Sequence, residues 1–260
     1  MFVQDRHRAI LDRLARKPRW GVTQLQREMR ISRSTLVRDL VELEERGDIV
    51  RVHGGVVHRD FLQGEPTFDR RGKEAVDAKR AIAETAAAMV AENTVVYLDA
   101  GTTCAEIGRR VLLRSDVTIY THSIRLAADA ASSNSPANVV LIGGEVRNVS
   151  QAVVGGLALE WLSHLKFDQA FVAASGVDAD GPSTTELSEA AIKSAVLARS
   201  KQAVLVADAG KWERSAAVRF GIWNQIPTWV VDAGLPKTAR DSLKRAGVNV
   251  IIAKNEETQS

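Results

Sequence analysis

Ile31-Ser32-Arg33-Ser34-Thr35-Leu36-Val37-Arg38-Asp39-Leu40 reads as the opening of a helix that is apolar along one side. Ser32 is suited to the N-cap, where a hydroxyl accepts from the free N–H groups of the first turn. Leu36, Leu40 and Leu43 recur at i, i+4 and i+7, with Val37 and Val41 beside them, and form a stripe facing a core. Arg33, Ser34, Thr35 and Arg38 lie off that stripe. They are the residue types that donate to base edges and phosphates from the start of the second helix of a helix-turn-helix. A capped surface helix with arginines on its wet side has the same pattern, so the flanks decide.

Residues 5–16 place Ile10, Leu11 and Leu14 on one side of a charged helix that ends at Lys17-Pro18. Thr23 is expected to cap a short second helix carrying Leu25 and Met29, and only Arg30 and Ile31 then separate it from Ser32, the short turn this motif requires. Gly47 fits a C-cap. Residues 49–57 alternate like two short strands about a glycine turn, a wing that would lay Arg51 and His53 against a phosphate backbone. The expectation is a winged helix-turn-helix over residues 1–60.

Ser32 to Leu40, followed by Leu43-Glu44-Glu45-Arg46-Gly47-Asp48-Ile49-Val50-Arg51-Val52-His53-Gly54-Gly55, resembles the N-terminal signature of the DeoR family of bacterial transcriptional regulators. Val37 stands where that family usually carries the first of two adjacent arginines, which leaves its contacts to Arg33 or Arg38. The resemblance implies double-stranded operator DNA as a partner, a homo-oligomer (dimer or tetramer), and repression as the usual mode.

Charge follows the same division. Residues 1–60 hold 13 Lys and Arg against 9 Asp and Glu, while residues 61–260 hold 22 against 23, so the excess of the +3 chain sits in the DNA-binding part. With 260 residues and 45% apolar content the chain can bury a core without crosslinks. The single cysteine, Cys104, excludes an internal disulfide and fits a reducing cytoplasm, and no long apolar run suggests a membrane span. No metal site or cofactor is expected, because His7, His53, His58, His122 and His164 lack ligand spacing.

Residues 61–78, interrupted by Gly64, Pro66 and Gly72 and rich in charge, read as a linker. From residue 79 to 255 near-continuous apolar runs at 95–98, 117–120, 139–142, 170–173, 203–206, 229–231 and 248–252 alternate with helical segments. That is the pattern of an α/β domain with a mainly parallel sheet covered on both faces.

Such sheets bind ligands beyond the carboxyl ends of their strands. The first of those ends is Asp99-Ala100-Gly101-Thr102-Thr103, where Gly101 lets the backbone approach a ligand and a helix N-terminus offers N–H groups to an anion. Asp99 and a threonine acting simply as helix caps would read the same way. Thr121-His122-Ser123, Gly143-Gly144-Glu145-Val146-Arg147, Ser175-Gly176-Val177-Asp178 and Asp208-Ala209-Gly210-Lys211 follow other strands. Arg147 and Lys211 suit an anion, and Asp99, Ser175 and Asp178 suit hydroxyl groups, together the needs of a phosphorylated sugar or polyol. The glycines here also serve as plain turns, and Lys211 as a surface lysine.

These landmarks extend the resemblance to the family's effector domain, which is similar in fold to ribose-5-phosphate isomerase and typically senses phosphorylated sugars. It implies Thr102, Thr103 and Lys211 in anion binding, with Asp99 and Arg147 beside them; His122 stands where asparagine is usual. The rival expectation is a sugar-phosphate isomerase with a DNA-binding appendage, whose base and stabiliser would be drawn from Asp178, Glu189 and Lys193. Glu189 and Lys193, at i and i+4, equally suit a surface ion pair, and no catalytic residue is assigned.

Overall fold

In a computed structural model, which describes residues 2–16, 19–52, 54–58 and 65–253, the chain divides into two compact units, Met1–Pro66 and Thr67–Ser260.

The first unit runs α1 (Val3–Arg16), β1 (Arg19–Gly21), α2 (Val22–Met29), α3 (Arg33–Glu45), β2 (Ile49–Val52) and β3 (Gly55–His58). Ile10 and Leu14 of α1, Leu25 and Met29 of α2, and Leu36, Leu40 and Leu43 of α3 share one buried core with Ile49 and Val56. Ser32 caps α3, its Oγ accepting from the Thr35 N–H at 3.1 Å. At the other end Gly47, with φ 76°, donates to Glu44 while Asp48 donates to Leu43, the paired bonds that close a helix through a left-handed residue. Arg6 of α1 grips Asp39 of α3 with a fork, Nε to Oδ2 and Nη2 to Oδ1, both at 2.8 Å, and Asp39 is almost fully buried.

The wing is an antiparallel pair, Ile49↔His58 to Val52↔Gly55, and β1 pairs with β3 as a third strand. That strand corrects the expected start of α2. Gly21, not Thr23, is the N-cap, because Gly21 is held in register with Gly55 and Val22 N–H donates to Gly54 O, which fixes where the helix begins.

The second unit opens with α4 (Phe68–Gly72) and α5 (Val76–Ala88), so part of the stretch expected as a linker is helical. Thr67 caps α4. Then follow β4 (Thr94–Leu98), α6 (Thr102–Val111), β5 (Val117–Thr121), α7 (Ile124–Ser132), β6 (Asn138–Leu141), β7 (Glu145–Arg147), β8 (Ala152–Val154) and α8 (Gly156–Ser163). The chain continues with β9 (Phe167–Val172), β10 (Gly176–Asp178), β11 (Gly181–Thr184), α9 (Leu187–Arg199), β12 (Ser200–Val206), β13 (Val218–Arg219), β14 (Thr228–Val231), α10 (Lys237–Arg245) and β15 (Asn249–Ile252).

Seven parallel strands form one sheet in the order β15-β14-β12-β9-β4-β5-β6. Alternate residues serve opposite faces. Val96 and Leu98 of β4 pack with Ile82, Cys104, Ile107 and Leu126 of α5–α7, whereas Tyr97 packs with Leu162, Ile192, Val196 and Leu243 of α8–α10. Both faces are covered over the middle of the sheet, which is why its inner strands carry apolar runs. Two antiparallel additions, β7–β8 and β10–β11–β13, grow from loops that the apolar pattern leaves featureless.

From β4 the chain moves outward through β5 and β6, then returns to β9 on the other side of β4 before moving outward again. The strand order therefore reverses between β4 and β9, where crossovers leave a crevice at the carboxyl ends. Among the described residues no helix is long and apolar enough to cross a membrane.

Candidate functional site

On the first unit, Arg33, Ser34 and Arg38 are exposed at the start of α3, and Thr35 is half-buried with its hydroxyl 2.7 Å from Ser32 Oγ. Val37, grouped with the core stripe by its spacing, is 37% exposed instead and lies on the same outer face as Arg33, Ser34 and Arg38. An apolar side chain among donors is the combination that reads a thymine methyl beside a hydrogen-bonding base. Arg51 is exposed on β2; its N–H donates to Glu44 Oε1 at 3.0 Å, and its guanidinium is 3.9 Å from Glu44. His53 lies outside the described residues.

On the second unit the crevice between β4 and β9 is a narrow cleft, with a cavity volume of about 30 Å³ and about 320 Å³ when open solvent at its mouth is included. Asp99, Gly101 and Ser175, all expected there, line it, joined by Arg71, His122, Ser150, Thr184, Glu189 and Lys193. Asp99 does not cap α6. Its Oδ2 accepts from Ala173 N–H at 2.8 Å and from the Lys193 ammonium, and Lys193 also donates to Ala173 O at 3.0 Å. Gly101 permits this approach, since a Cβ there would stand 2.4 Å from that of Ala173.

Glu189 and Lys193 are buried, not a surface pair, and each faces a different partner. Glu189 accepts from Arg147 at 2.9 Å and from Thr184 at 3.3 Å, and Arg147 reaches Ser150 at 3.1 Å. Burial raises the Asp99 and Glu189 carboxyls, but the Lys193 ammonium and the surrounding donors outweigh it, so both are held below the usual range and are ionised. Burial drives His122 down to about 4 against the pull of Asp99, with Lys193 adding to the lowering, so the ring is neutral near pH 7. The Tyr97 hydroxyl, pushed up by burial and kept as a phenol, meets His122 Nδ1. The other nitrogen, Nε2, stands 3.6 Å from Asp99 Oδ1. That oxygen is buried without a hydrogen-bond partner.

Several expected residues stand elsewhere. Thr102 faces a broader groove shared with Lys73, Lys79, Arg80, Arg109 and Arg125. Thr103 is buried in the first turn of α6. Gly176 makes room for the Arg214 carbonyl, which a Cβ would meet at 2.2 Å. Asp178 accepts from the N–H groups of Asp180 and Gly181 in the turn of the β10–β11 hairpin. Lys211 is not part of the lining; its charge acts on buried Lys79, whose pKa is lowered first by burial and next by Lys211. Arg71 was missed because its surroundings read as linker. The signal for it was Thr67 four residues ahead, a cap that makes a short helix of the segment. Among the described residues no group of three or more His, Cys, Asp or Glu is placed to hold a metal.

Comparison with known proteins adds the following. The family model for the DeoR C-terminal sensor domain matches residues 74–233, and that for the DeoR-like helix-turn-helix domain matches residues 6–60. The HTH-type transcriptional regulator YgbI of Escherichia coli K12 is 33% identical over 98% of this chain and 100% of its own. GlpR, an HTH-type transcriptional regulator of Haloferax volcanii, is 32% identical over 96% and 98%. The glycerol-3-phosphate regulon repressor of Escherichia coli K12 is 27% identical over 89% and 92%. Among solved structures, ribose 5-phosphate isomerase A of Methanocaldococcus jannaschii aligns over 53% of this chain and 54% of that one, with 19% identity and a TM-score of 0.38.

Proposed function

Because the chain belongs to the DeoR family of helix-turn-helix transcriptional regulators, we propose that this DNA-binding regulator represses a carbohydrate-metabolism operon and leaves its operator when a phosphorylated sugar or related anionic metabolite fills the β4–β9 cleft. The family assignment sets aside the isomerase with a DNA-binding appendage; the protein is a regulator, not an enzyme. Repression has the support of a relative named as a repressor. On DNA, Arg33, Ser34, Thr35 and Arg38 face the major groove, with Val37 among them, and Arg51 faces the backbone. The protein acts as a homo-oligomer whose paired domains read paired half-sites. Leu157 and Trp161, four apart on α8 and each 56% exposed, give it an apolar face for self-association.

The observation that carries the effector reading is the composition of the cleft. Asp99, Glu189, Ser175 and Thr184 suit hydroxyl groups, Arg71 and Lys193 offer positive charge to an anion, and Arg147, which is not part of the lining, pairs with Glu189. A neutral sugar satisfies the first set only. A gel shift on operator DNA, titrated with ribose 5-phosphate, glucose 6-phosphate and glycerol 3-phosphate and with their unphosphorylated parents, tests it. Release by a phosphorylated compound alone is expected; equal release by its parent removes the anion site.

A further inference from the structure

Arg71 and Lys79 meet at α4, and Arg71 has buried donors with no acceptor. Arg71 lines the cleft together with Asp99, His122, Ser150 and Glu189, and its Nε and Nη2 are buried without a hydrogen-bond partner. The carboxylates of the cleft each already hold a cation, Asp99 the Lys193 ammonium through Oδ2 and Glu189 the Arg147 guanidinium, while Asp99 Oδ1 has no hydrogen-bond partner. No carboxylate among the described residues pairs with Arg71. A guanidinium whose buried N–H groups lack acceptors is poorly solvated until an oxyanion arrives, and its planar fork matches two oxygens of a phosphate.

The backbone under Arg71 is fixed with care. Lys79, buried on α5, donates to the carbonyls of both Arg71 and Glu74. It spans the bend between α4 and α5, where Ala75 takes φ 47°. Phe68 N–H donates to Val149 O, tying α4 to the turn between β7 and β8. Lys79 therefore positions Arg71 and does not face the ligand itself. α4 is also the first element after Pro66, at which the DNA-binding unit ends.

We propose that Arg71 is the receptor for the phosphate group of the effector, and that α4, the helix next in sequence to the DNA-binding unit, is ordered by that contact. The inference rests on the effector reading of the cleft and adds to it the residue and the route. Without ligand, α4 is held by the Lys79, Phe68 and Thr67 contacts and by the ion pair of Arg70 with Glu74. With ligand, the guanidinium fork adds a charge-assisted clamp on the segment next in sequence to the DNA-binding unit.

The test uses the full chain with ribose 5-phosphate, glucose 6-phosphate, glycerol 3-phosphate and inorganic phosphate as probes. The wild type, Arg71→Gln and Arg71→Lys are compared by thermal shift, operator gel shift and hydrogen exchange. Arg71→Gln is expected to fold with an unliganded melting temperature no lower than wild type, because it removes an unpaired buried charge, and to bind operator unchanged. It should need at least tenfold more of whichever phosphorylated probe releases the wild type, with Arg71→Lys between the two. Exchange over residues 68–72 should slow with that probe in wild type and not in Arg71→Gln. A wild-type effector response in Arg71→Gln overturns the receptor assignment and leaves the cleft reading standing. A melting shift without slower exchange over residues 68–72 overturns the route. Absence of any wild-type response to the phosphorylated probes overturns the cleft reading, and this inference with it.

Discussion

Asp99 accepts the Ala173 backbone N–H at 2.8 Å, and by doing so joins the loops after β4 and β9, the two strands between which the sheet reverses its winding. The same carboxylate holds the Lys193 ammonium. Asp99→Asn should leave that ammonium buried without a carboxylate and cost about 3–5 kcal/mol of folding stability. Adding Lys193→Met should recover most of the loss. Urea unfolding of the two variants checks this, and a double variant no more stable than Asp99→Asn contradicts it.

Protonation of His122 sets an acid limit on stability. Its pKa falls from 6.5 to about 4 on folding, so between those values the unfolded chain binds more protons than the folded one. Stability is then fully present above about pH 6.5 and is lost as the pH falls toward 4, by about 3 kcal/mol in all. Asp99, whose pKa is depressed in the fold, adds a further loss only as its carboxylate protonates at lower pH. Urea midpoints at pH 7, 5.5 and 4.5 should fall for wild type and fall less for His122→Asn, which has no imidazole to protonate. Parallel slopes count against it.

Reading of DNA should separate by residue. Arg33→Ala or Arg38→Ala should weaken operator binding by about 1–3 kcal/mol where a bidentate base contact is lost, with relaxed preference at one base pair. Val37→Ala should relax preference at a thymine with a smaller loss of affinity. Arg51→Ala should weaken all sequences alike and lower the salt dependence by about one phosphate contact. Binding titrations against single-base operator variants at two salt concentrations distinguish these patterns; uniform losses for all four remove the recognition-face assignment.

Self-association should depend on α8. Trp161→Glu places a charge on the exposed Leu157–Trp161 face and should shift the protein toward monomer in light scattering at micromolar concentration. Its operator affinity should fall as paired half-sites are no longer bridged. An unchanged mass puts the interface elsewhere.

All seven strands of the sheet were legible as apolar runs, which burial on both faces demands of the inner ones, and that signal needs no partner to be read. The β7–β8 hairpin was not: Glu145-Val146-Arg147 has no such run, and its pairing is set by Ala152–Val154 five residues on. α4 escaped for a related reason. Five residues with one buried side chain carry no periodicity, and the helix is held from outside by Val149 and Lys79. Within the cleft, Asp99 and Ser175 were visible because each follows a strand closely. Glu189 and Lys193 were ambiguous, since spacing of i, i+4 is the same on a wet or a dry face. Arg147 and Asp99, 42 and 94 residues away, decide which it is.

The fork between Arg6 and Asp39 carries a consequence for how the protein is phased on DNA. A stripe of leucines tolerates small rotations of α3 about its own axis, because apolar contacts are not directional. Two parallel N–H···O bonds to one carboxylate are directional, and they set the azimuth of the helix from its buried side. A roll of about 30° would sweep a side-chain tip some 6 Å from the axis through about 3 Å, nearly the rise of about 3.4 Å between successive base pairs. Arg6 thus fixes, through Asp39, the azimuth at which α3 presents Arg33 and Arg38.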